Sequence, residues 1–530
     1  MIFDLTELYH NLIGSHLQNS DTTYSSMKVL LINPGRFYYK YSKDIRLGLP
    51  LGIMYIASVL EQESVPVSIF DCLISGQTQI HETPEGTHHG VADKVICDII
   101  TKTAPDIVGI TCPFTAQVDN LLHTAKIVKK LNPQIFIVAG GPHFSIANHN
   151  FLKHNLQIDG FISGEGEVAM LQLVKALQEK RSLETVKGLV FRTADSQGHL
   201  IVRANPPEFI DNPDWLPLPA YHLIDMNMFF KYQARGLIAR PGEQTRAISM
   251  VTSRGCPFNC VFCSIHLHMG KKFRVHSADY VISHIKHVIK QYKVDHIFFE
   301  DDNLTLHPKR INRILELMIQ ERIQIGWNTP NGVRADTLNA KLLKIIKQTG
   351  CTDLTIGVES GDQDTLDKII RKKLNLRDVV QAAKLCYKAK IDLSAFFVIG
   401  FPGETEKKIQ RTINFAAMLY KKYKVQPLLM LATPLPGTKL YRDVIHDGYL
   451  ASEITPKSLS CATSPFGKGL IATPEFSPSD LSHLAFQLQR KTRRIQLIKL
   501  MMNPTIYLKL IRALILQPKK VINAFNHYFA

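Results

Sequence analysis

No window of about 18 uninterrupted apolar residues occurs in this chain, so a membrane-spanning helix is not expected. The opening stretch, MIFDLTELYHNLIGSHLQNS, also lacks an apolar core of signal-peptide length and carries acids instead. Cysteine is scarce: nine occur in 530 residues and three of them stand together, which leaves no disulfide framework. The scattered six (Cys72, Cys97, Cys112, Cys351, Cys386 and Cys461) fall mostly in apolar runs and read as buried thiols. A reducing cytoplasm is the expected setting. Acidic residues are outnumbered, 46 against 63 Lys and Arg, for a formal charge of +17. Such an excess points to an anionic surface, either nucleic acid or lipid headgroups, or to a basic solvated exterior. From 481 to 530 there is no Asp or Glu at all, against nine Lys and Arg, and apolar residues recur there at helical spacing. A basic amphipathic helix reads as membrane-surface or partner-binding, or as a cap whose apolar face packs on a neighbouring domain. No nucleic-acid fold signature accompanies the charge, so nucleic acid is not an expected partner.

What is present is the composition of a folded globular chain, 45% hydrophobic and 21% charged, long enough for roughly three to four units. Residues 1–26 read as a short helix and a polar joint, a weakly ordered extension. From residue 27 to 183, strand-like runs at 28–33, 65–70, 107–111, 135–139 and 160–163 alternate with helical stretches at 51–62, 92–103, 118–131 and 167–179. That alternation predicts a parallel, doubly wound α/β sheet covered on both faces, flavodoxin-like in kind. Turn residues follow its strands: Asn33-Pro34-Gly35, Cys112-Pro113, Gly140-Gly141-Pro142-His143 and Gly164-Glu165-Gly166-Glu167. In such sheets ligands sit beyond the carboxyl ends of the strands, and glycine there lets the backbone approach a large flat ligand.

Residues 184–245 read as a connector, a hairpin followed by a Pro-rich stretch that cannot form a regular helix or sheet centre. From 246 to 450 a second alternation gives strands at 247–253, 296–300, 324–327, 353–358, 393–399 and 428–431. Six βα units suit an incomplete, TIM-like (β/α)6 barrel, whose function gathers at the carboxyl ends of its strands. Residues 451–530 form a basic helical region.

The loop after the first barrel strand reads TSRGCPFNCVFCS, with Cys256, Cys260 and Cys263 in a C-x3-C-x2-C pattern. Two sites fit three thiols at this spacing. One is an iron–sulfur cube with one iron left open to an outside ligand. The other is a structural zinc, with His266 making a Cys3His set. The spacing, with the aromatic Phe262 before the third cysteine, resembles the cluster motif of the radical SAM superfamily. The resemblance implies a [4Fe-4S] cluster on the three cysteines, its open iron binding the amino and carboxylate groups of S-adenosylmethionine. It further implies S-adenosylmethionine contacts at Phe262, at Glu300, Asp301 and Asp302 after strand two, and at Glu359 and Ser360 after strand four. Gly400 after strand five and the basic Arg371 complete that set. Glu404 is expected to cap the next helix, and a solvated loop is the plainer reading of the three acids.

The loops GGPH and GEGE resemble the cobalamin-binding domain that precedes the radical SAM core in one large subfamily. The implied cobalamin contacts are Thr111, Gly140, Gly141, Pro142, His143, Gly164, Glu165 and Gly166. The D-x-H-x-x-G motif of the best-known cobalamin domains is missing; the first loop reads NPGRFYYKYSKD. Cobalt without a histidine on that side is therefore expected, with His143 at the corrin edge or a neighbouring loop. A second cluster on Cys72, Cys97 and Cys112, as in radical SAM methylthiotransferases, fits poorly because Cys97 lies in a helical stretch.

The resemblance implies methylation of an unactivated carbon, through a 5′-deoxyadenosyl radical and methylcobalamin. It also implies an electron donor such as flavodoxin or ferredoxin and a small substrate. The basic tail alone suggests that this substrate is hydrophobic, and that the cytoplasmic enzyme makes peripheral contact at the inner membrane face. Two other outcomes stand beside this one: a ring-closing oxidation, as in the anaerobic magnesium-protoporphyrin ester cyclase, and a zinc-stabilised module that binds membranes or nucleic acid.

Overall fold

The computed structural model describes residues 26–39, 48–147, 149–233, 246–463 and 467–501. The expected N-terminal extension, all but its last residue, and the tail beyond 501 lie outside the described residues.

The first domain is built on a seven-stranded sheet. Five of its strands are parallel: Val29–Asn33, Val67–Asp71, Ile107–Thr111, Phe136–Gly140 and Gly160–Ile162. Numbered along the chain they lie in the order 2-1-3-4-5, the flavodoxin-like winding. The central strand Val29–Asn33 is buried on both faces, so its successive residues part company. Val29 and Leu31 join one apolar core with helices Leu51–Gln62 and Glu167–Gln178, while Leu30 and Ile32 join another with helices Asp93–Thr103 and Val118–Leu131. The winding reverses between Val29–Asn33 and Ile107–Thr111, which opens a crevice at their carboxyl ends.

The hairpin expected in the connector belongs to this sheet. Leu189–Ala194 pairs antiparallel with Gly160–Ile162, and Leu200–Ala204 pairs outside it. The boundary expected at residue 183 thus falls inside the sheet. The short strand Gly160–Ile162 has an edge to cover, and Val190 and Phe191 cover it while burying themselves. A further three-stranded sheet, formed by Arg36–Tyr39, Gln79–Thr83 and Gly86–Gly90, was not expected. Its polar, His- and Gly-bearing segments lack the apolar alternation that marks a strand.

The barrel domain has six parallel strands in strictly sequential order: Ala247–Met250, His296–Phe299, Gly326–Val333, Cys351–Glu359, Asp392–Ile399 and Gln426–Leu431. Right-handed crossovers between consecutive neighbours put the intervening helices on one side, which is the partial barrel. The first strand ends at Met250, short of the expected 253. Ser253–Arg254 instead pairs antiparallel with Arg274–Val275, closing a neck under the loop that holds the three cysteines. Gly255 begins that loop at φ +80°, where a Cβ would meet the carbonyl oxygens of Met269 and Gly270 at 3.0 Å. Helix Pro478–Met501 packs along helix Glu406–Tyr423. Its Leu481, Leu484 and Leu488 are buried in the barrel's core, so this first part of the basic region is a cap. Among the described residues no helix is long and apolar enough to cross a membrane.

The domains meet through charges. Arg254 and Arg274, facing each other across the two-stranded neck, reach the GEGE loop of the first domain. Arg254 lies 2.6 Å from Glu167 Oε1 and 3.3 Å from Glu165 Oε1. Arg274 lies 2.8 Å from Glu165 Oε1 and donates to Glu165 Oε2 at 2.9 Å. It also donates to the carbonyls of Ile210 and Met269. All four side chains are at most 7% exposed. Removing one partner of such a buried group strands charge in a dry interface, at a cost of about 3–5 kcal/mol. Arg274→Met is therefore expected to lower the unfolding free energy of the purified apoprotein by that amount, measured by urea denaturation. An unchanged midpoint would show that Arg254 and the Ile210 amide suffice to hold Glu165.

Candidate functional site

The three cysteines occupy a loop fixed at several points. Cys263 N donates to the Cys260 carbonyl at 3.1 Å. The buried Val261 between them is bridged by its backbone to Ile370 and Leu440. Burial pushes all three thiols up, Cys263 to about 12, while the nearby cations of Lys372 and Arg334 draw Cys256 and Cys260 back. Metal must displace those protons to bind as thiolate, beside two cations that are themselves ion-paired, Lys372 with Glu359 and Arg334 with Asp336. Arg334 is itself held, stacked 4.1 Å over the Phe258 ring and donating to the carbonyls of Lys372 and Lys373. Three soft donors beside fixed cations fit an anionic thiolate cluster. Cys72 and Cys112 are buried in the first domain's core, and Cys97 lies on helix Asp93–Thr103.

The three acids after strand two part ways. Asp301 is buried and accepts from Thr252 N and Oγ1 and from Ser253 Oγ, so it braces the root of the cysteine loop. Glu300 Oε1 accepts from Ser249 Oγ at 3.2 Å. Asp302 has no hydrogen-bond partner among the described residues. Burial, and then the Asp301 carboxylate, push it up to about 7. Glu359 ends its strand at φ +67°, buried, with Oε1 2.7 Å from Lys372 Nζ. A Cβ at Gly357 would lie 2.8 Å from both of those atoms, so only glycine leaves room for the pair. It is Lys372, and not its neighbour Arg371, that reaches the Glu359 carboxylate. Arg371 and Lys373 both adopt left-handed φ (+61° and +53°), which turns Lys372 inward and leaves Arg371 exposed. The run of three basic residues was the only signal.

Ser360 is also buried, its Oγ 2.9 Å from Thr412 Oγ1 and accepting from Asp362 N, a brace within the loop. Gly400 has φ +92°, and a Cβ there would lie 2.5 Å from Leu481 Cδ1 of the capping helix. Glu404 does not cap the next helix; Thr405 does. The Glu404 Oε2 accepts from Gly400 N and Phe401 N, at 2.8 and 2.9 Å, and stiffens the glycine loop. The Phe262 ring packs 5.8 Å from that of Phe401, which joins the cysteine loop to the glycine loop.

A cavity of about 180 Å³ enters the first domain between its sheet and helices Leu51–Gln62 and Glu167–Gln178. Thr111, Gly140, Gly141, Pro142, Gly164, Glu165 and Gly166 all line it. Nothing lies within 4 Å of where a Gly140 Cβ would stand, and Gly141 has φ +104° with its missing Cβ 2.8 Å from Cys112 O. This largely apolar cleft, with Gly109 and Gly140 among the strand residues on its floor, fits the slender tail of a corrinoid between sheet and helices. Glu165 lines the wall, but the arginines take its carboxylate. His143 does not line the cavity. It is buried against Phe144 and Phe151 with Nδ1 3.1 Å from Thr115 Oγ1, beside a neighbouring loop, and burial pulls it down to about 4. The barrel also supplies part of the wall: Val251, Arg254, His268 and Met269.

A carboxyl held near 7 binds its proton more tightly in the folded than in the unfolded protein. Asp302 therefore favours folding in acid, and that contribution is lost as pH rises from about 4 to about 7. In the apoprotein, Asp302→Asn is expected to flatten the fall in unfolding midpoint across that window. Equal slopes for both proteins would show that Asp302 ionises as an exposed carboxylate does.

Two family models match, the radical SAM superfamily at residues 250–416 and the B12 binding domain at residues 47–174. An uncharacterized methyltransferase from Pyrococcus horikoshii is 35% identical over 425 residues, 80% of this chain and 84% of that one. Cytidylyl-2-hydroxyethylphosphonate methyltransferase from Streptomyces wedmorensis is 26% identical over 490 residues, 87% of this chain and 89% of its own. An anaerobic magnesium-protoporphyrin IX monomethyl ester cyclase from Rubrivivax gelatinosus is 27% identical over 398 residues, 74% of this chain and 65% of that one. The fold is similar to that of OxsB, a cobalamin-dependent S-adenosylmethionine radical enzyme solved with aqua-cobalamin and S-adenosylmethionine bound. The TM-score is 0.68 at 17% identity, over 91% of this chain and 71% of that one. A corrinoid cleft, a three-thiol loop and a close relative over most of both sequences converge: the chain belongs to the cobalamin-dependent radical SAM methyltransferases, which work with a [4Fe-4S] cluster, S-adenosylmethionine and cobalamin.

Proposed function

We propose that this enzyme methylates an unactivated carbon of a small, hydrophobic substrate held between the two domains. The observation that carries the reading is the shared wall. The corrinoid cleft is lined by residues of the first domain and by His268 and Met269, which follow the cluster cysteines within the same loop. When bound, the cluster supplies reductive cleavage of the sulfonium and the corrinoid supplies the methyl group. The chain's own groups then have these roles. Cys256, Cys260 and Cys263 hold the cluster. Asp302, unpartnered among the described residues, takes the amino group of S-adenosylmethionine, and Lys372 takes its carboxylate. Glu359 lies toward the nucleoside. The stiffened backbone at Gly400 and Phe401, with the Phe262 ring, borders the adenine. Asp301 and Ser360 act at one remove, as braces.

The electron donor is a small one-electron carrier such as flavodoxin or ferredoxin, in the cytoplasm. The basic run from 481 to 530 supports peripheral contact with an anionic membrane face. Deleting the residues after 504 is expected to reduce cosedimentation with phosphatidylserine-containing liposomes, and unchanged sedimentation would rule the contact out.

A methylating enzyme of this kind uses S-adenosylmethionine in two ways, so two co-products test the reading before any substrate is known. Anaerobically reconstituted protein with dithionite, hydroxocobalamin and S-adenosylmethionine is expected to release both 5′-deoxyadenosine and S-adenosylhomocysteine. Cys260→Ala is expected to release no 5′-deoxyadenosine. Deoxyadenosine without S-adenosylhomocysteine would favour a non-methylating radical outcome such as cyclisation.

A further inference from the structure

The four barrel residues on the corrinoid cleft are not equivalent. Val251 is apolar. Arg254 is committed to Glu165 and Glu167 and cannot serve a ligand without releasing them. His268 is uncommitted at one end. It closes the four-residue helix Ile265–His268, five residues beyond Cys263. Its Nδ1 lies 3.1 Å from the carbonyl oxygen of Ser264. A carbonyl only accepts, so Nδ1 carries the proton and Nε2 carries the lone pair. Among the described residues no protein group hydrogen-bonds Nε2. Burial lowers the proton affinity of the ring, which keeps it neutral at neutral pH. An imidazole fixed in one tautomer, half-buried on the wall of a ligand cleft and with an acceptor that no protein group uses, can take a donor from the ligand.

A corrinoid offers such donors at its rim, where carboxamide N–H groups and a ribose hydroxyl are exposed. We infer that His268 is the barrel's own contact with the corrinoid, its Nε2 accepting a hydrogen bond from a carboxamide or ribose donor of the bound cofactor. This rests on the corrinoid reading of the cleft. The contact gives the loop that carries the cluster a direct bond to the second cofactor. Ser264, which orients the ring, is the residue next to Cys263.

The test uses the full chain, reconstituted with iron and sulfide without oxygen, and hydroxocobalamin as the probe. Equilibrium dialysis is expected to show about tenfold weaker binding for His268→Ala and His268→Phe, the loss of one buried hydrogen bond. His268→Gln, which keeps an acceptor oxygen, is expected to recover most of that affinity. Iron content is expected to be equal in all four proteins, which separates the effect from damage to the cluster loop. Binding by His268→Ala within twofold of the wild type overturns the inference. So does nitrogen superhyperfine splitting in the cob(II)alamin EPR spectrum that disappears in His268→Ala, which would make the residue a cobalt ligand. Wild-type protein that binds no cobalamin overturns the corrinoid reading itself.

Discussion

Two arginines on the neck of the cysteine loop, Arg254 and Arg274, close onto two glutamates at the lip of the corrinoid cleft, Glu165 and Glu167. Each domain would fold its own sheet without this contact. What the contact fixes is the orientation of one ligand-binding end toward the other. Shape alone does not set the angle between them. Buried charge does, because these four groups are satisfied only when the neck and the GEGE loop meet in one register. Glu165 occupies a position where a ligand contact is expected, and its carboxylate is also held by the interface arginines.

Around the cysteines the same economy recurs, with charged residues held by other charged residues so that few remain free. Lys372 faces the thiols and Glu359 together, Arg334 is stacked on Phe258, and Asp301 is consumed by the root of the loop. Asp302 has no such hold among the described residues, and its raised carboxyl reflects that. A ligand carrying one ammonium and one carboxylate finds here a carboxyl and a cation on a rigid floor. The rigidity has local causes: the glycines at 357 and 400 make space, and Glu404 ties down the backbone of the second.

The order of elements was legible in the sequence because both domains alternate short apolar strands with amphipathic helices, and helices such as Leu51–Gln62, Val118–Leu131 and Pro308–Gln320 start and stop where their periodicity does. The cysteine loop was legible because three thiols at that spacing have few other uses. Contacts made across long sequence separations were not. The hairpin from Leu189 to Ala204 joins a sheet because a distant edge needs covering, and no local signal says so. The sheet of Arg36–Tyr39 with Gln79–Gly90 has no apolar stripe to announce it. Lys372 was hidden by a backbone turn that reverses its direction relative to Arg371. The arginines that hold Glu165 at the edge of the cavity were not legible, since they lie about 90 and about 110 residues further on.

The neck at Ser253–Arg254 and Arg274–Val275 has a further effect on how the chain can vary. Its pairing isolates everything between from the strand that precedes it. Extra residues inserted there, away from the bridges of Val261 to Ile370 and Leu440, would leave the pairing of the barrel strands as it is. Lengthening a tethered segment costs little, about 0.6 kcal/mol for each doubling. The neck thus leaves the length of this segment less constrained than the domain seam, which Arg254 and Arg274 fix.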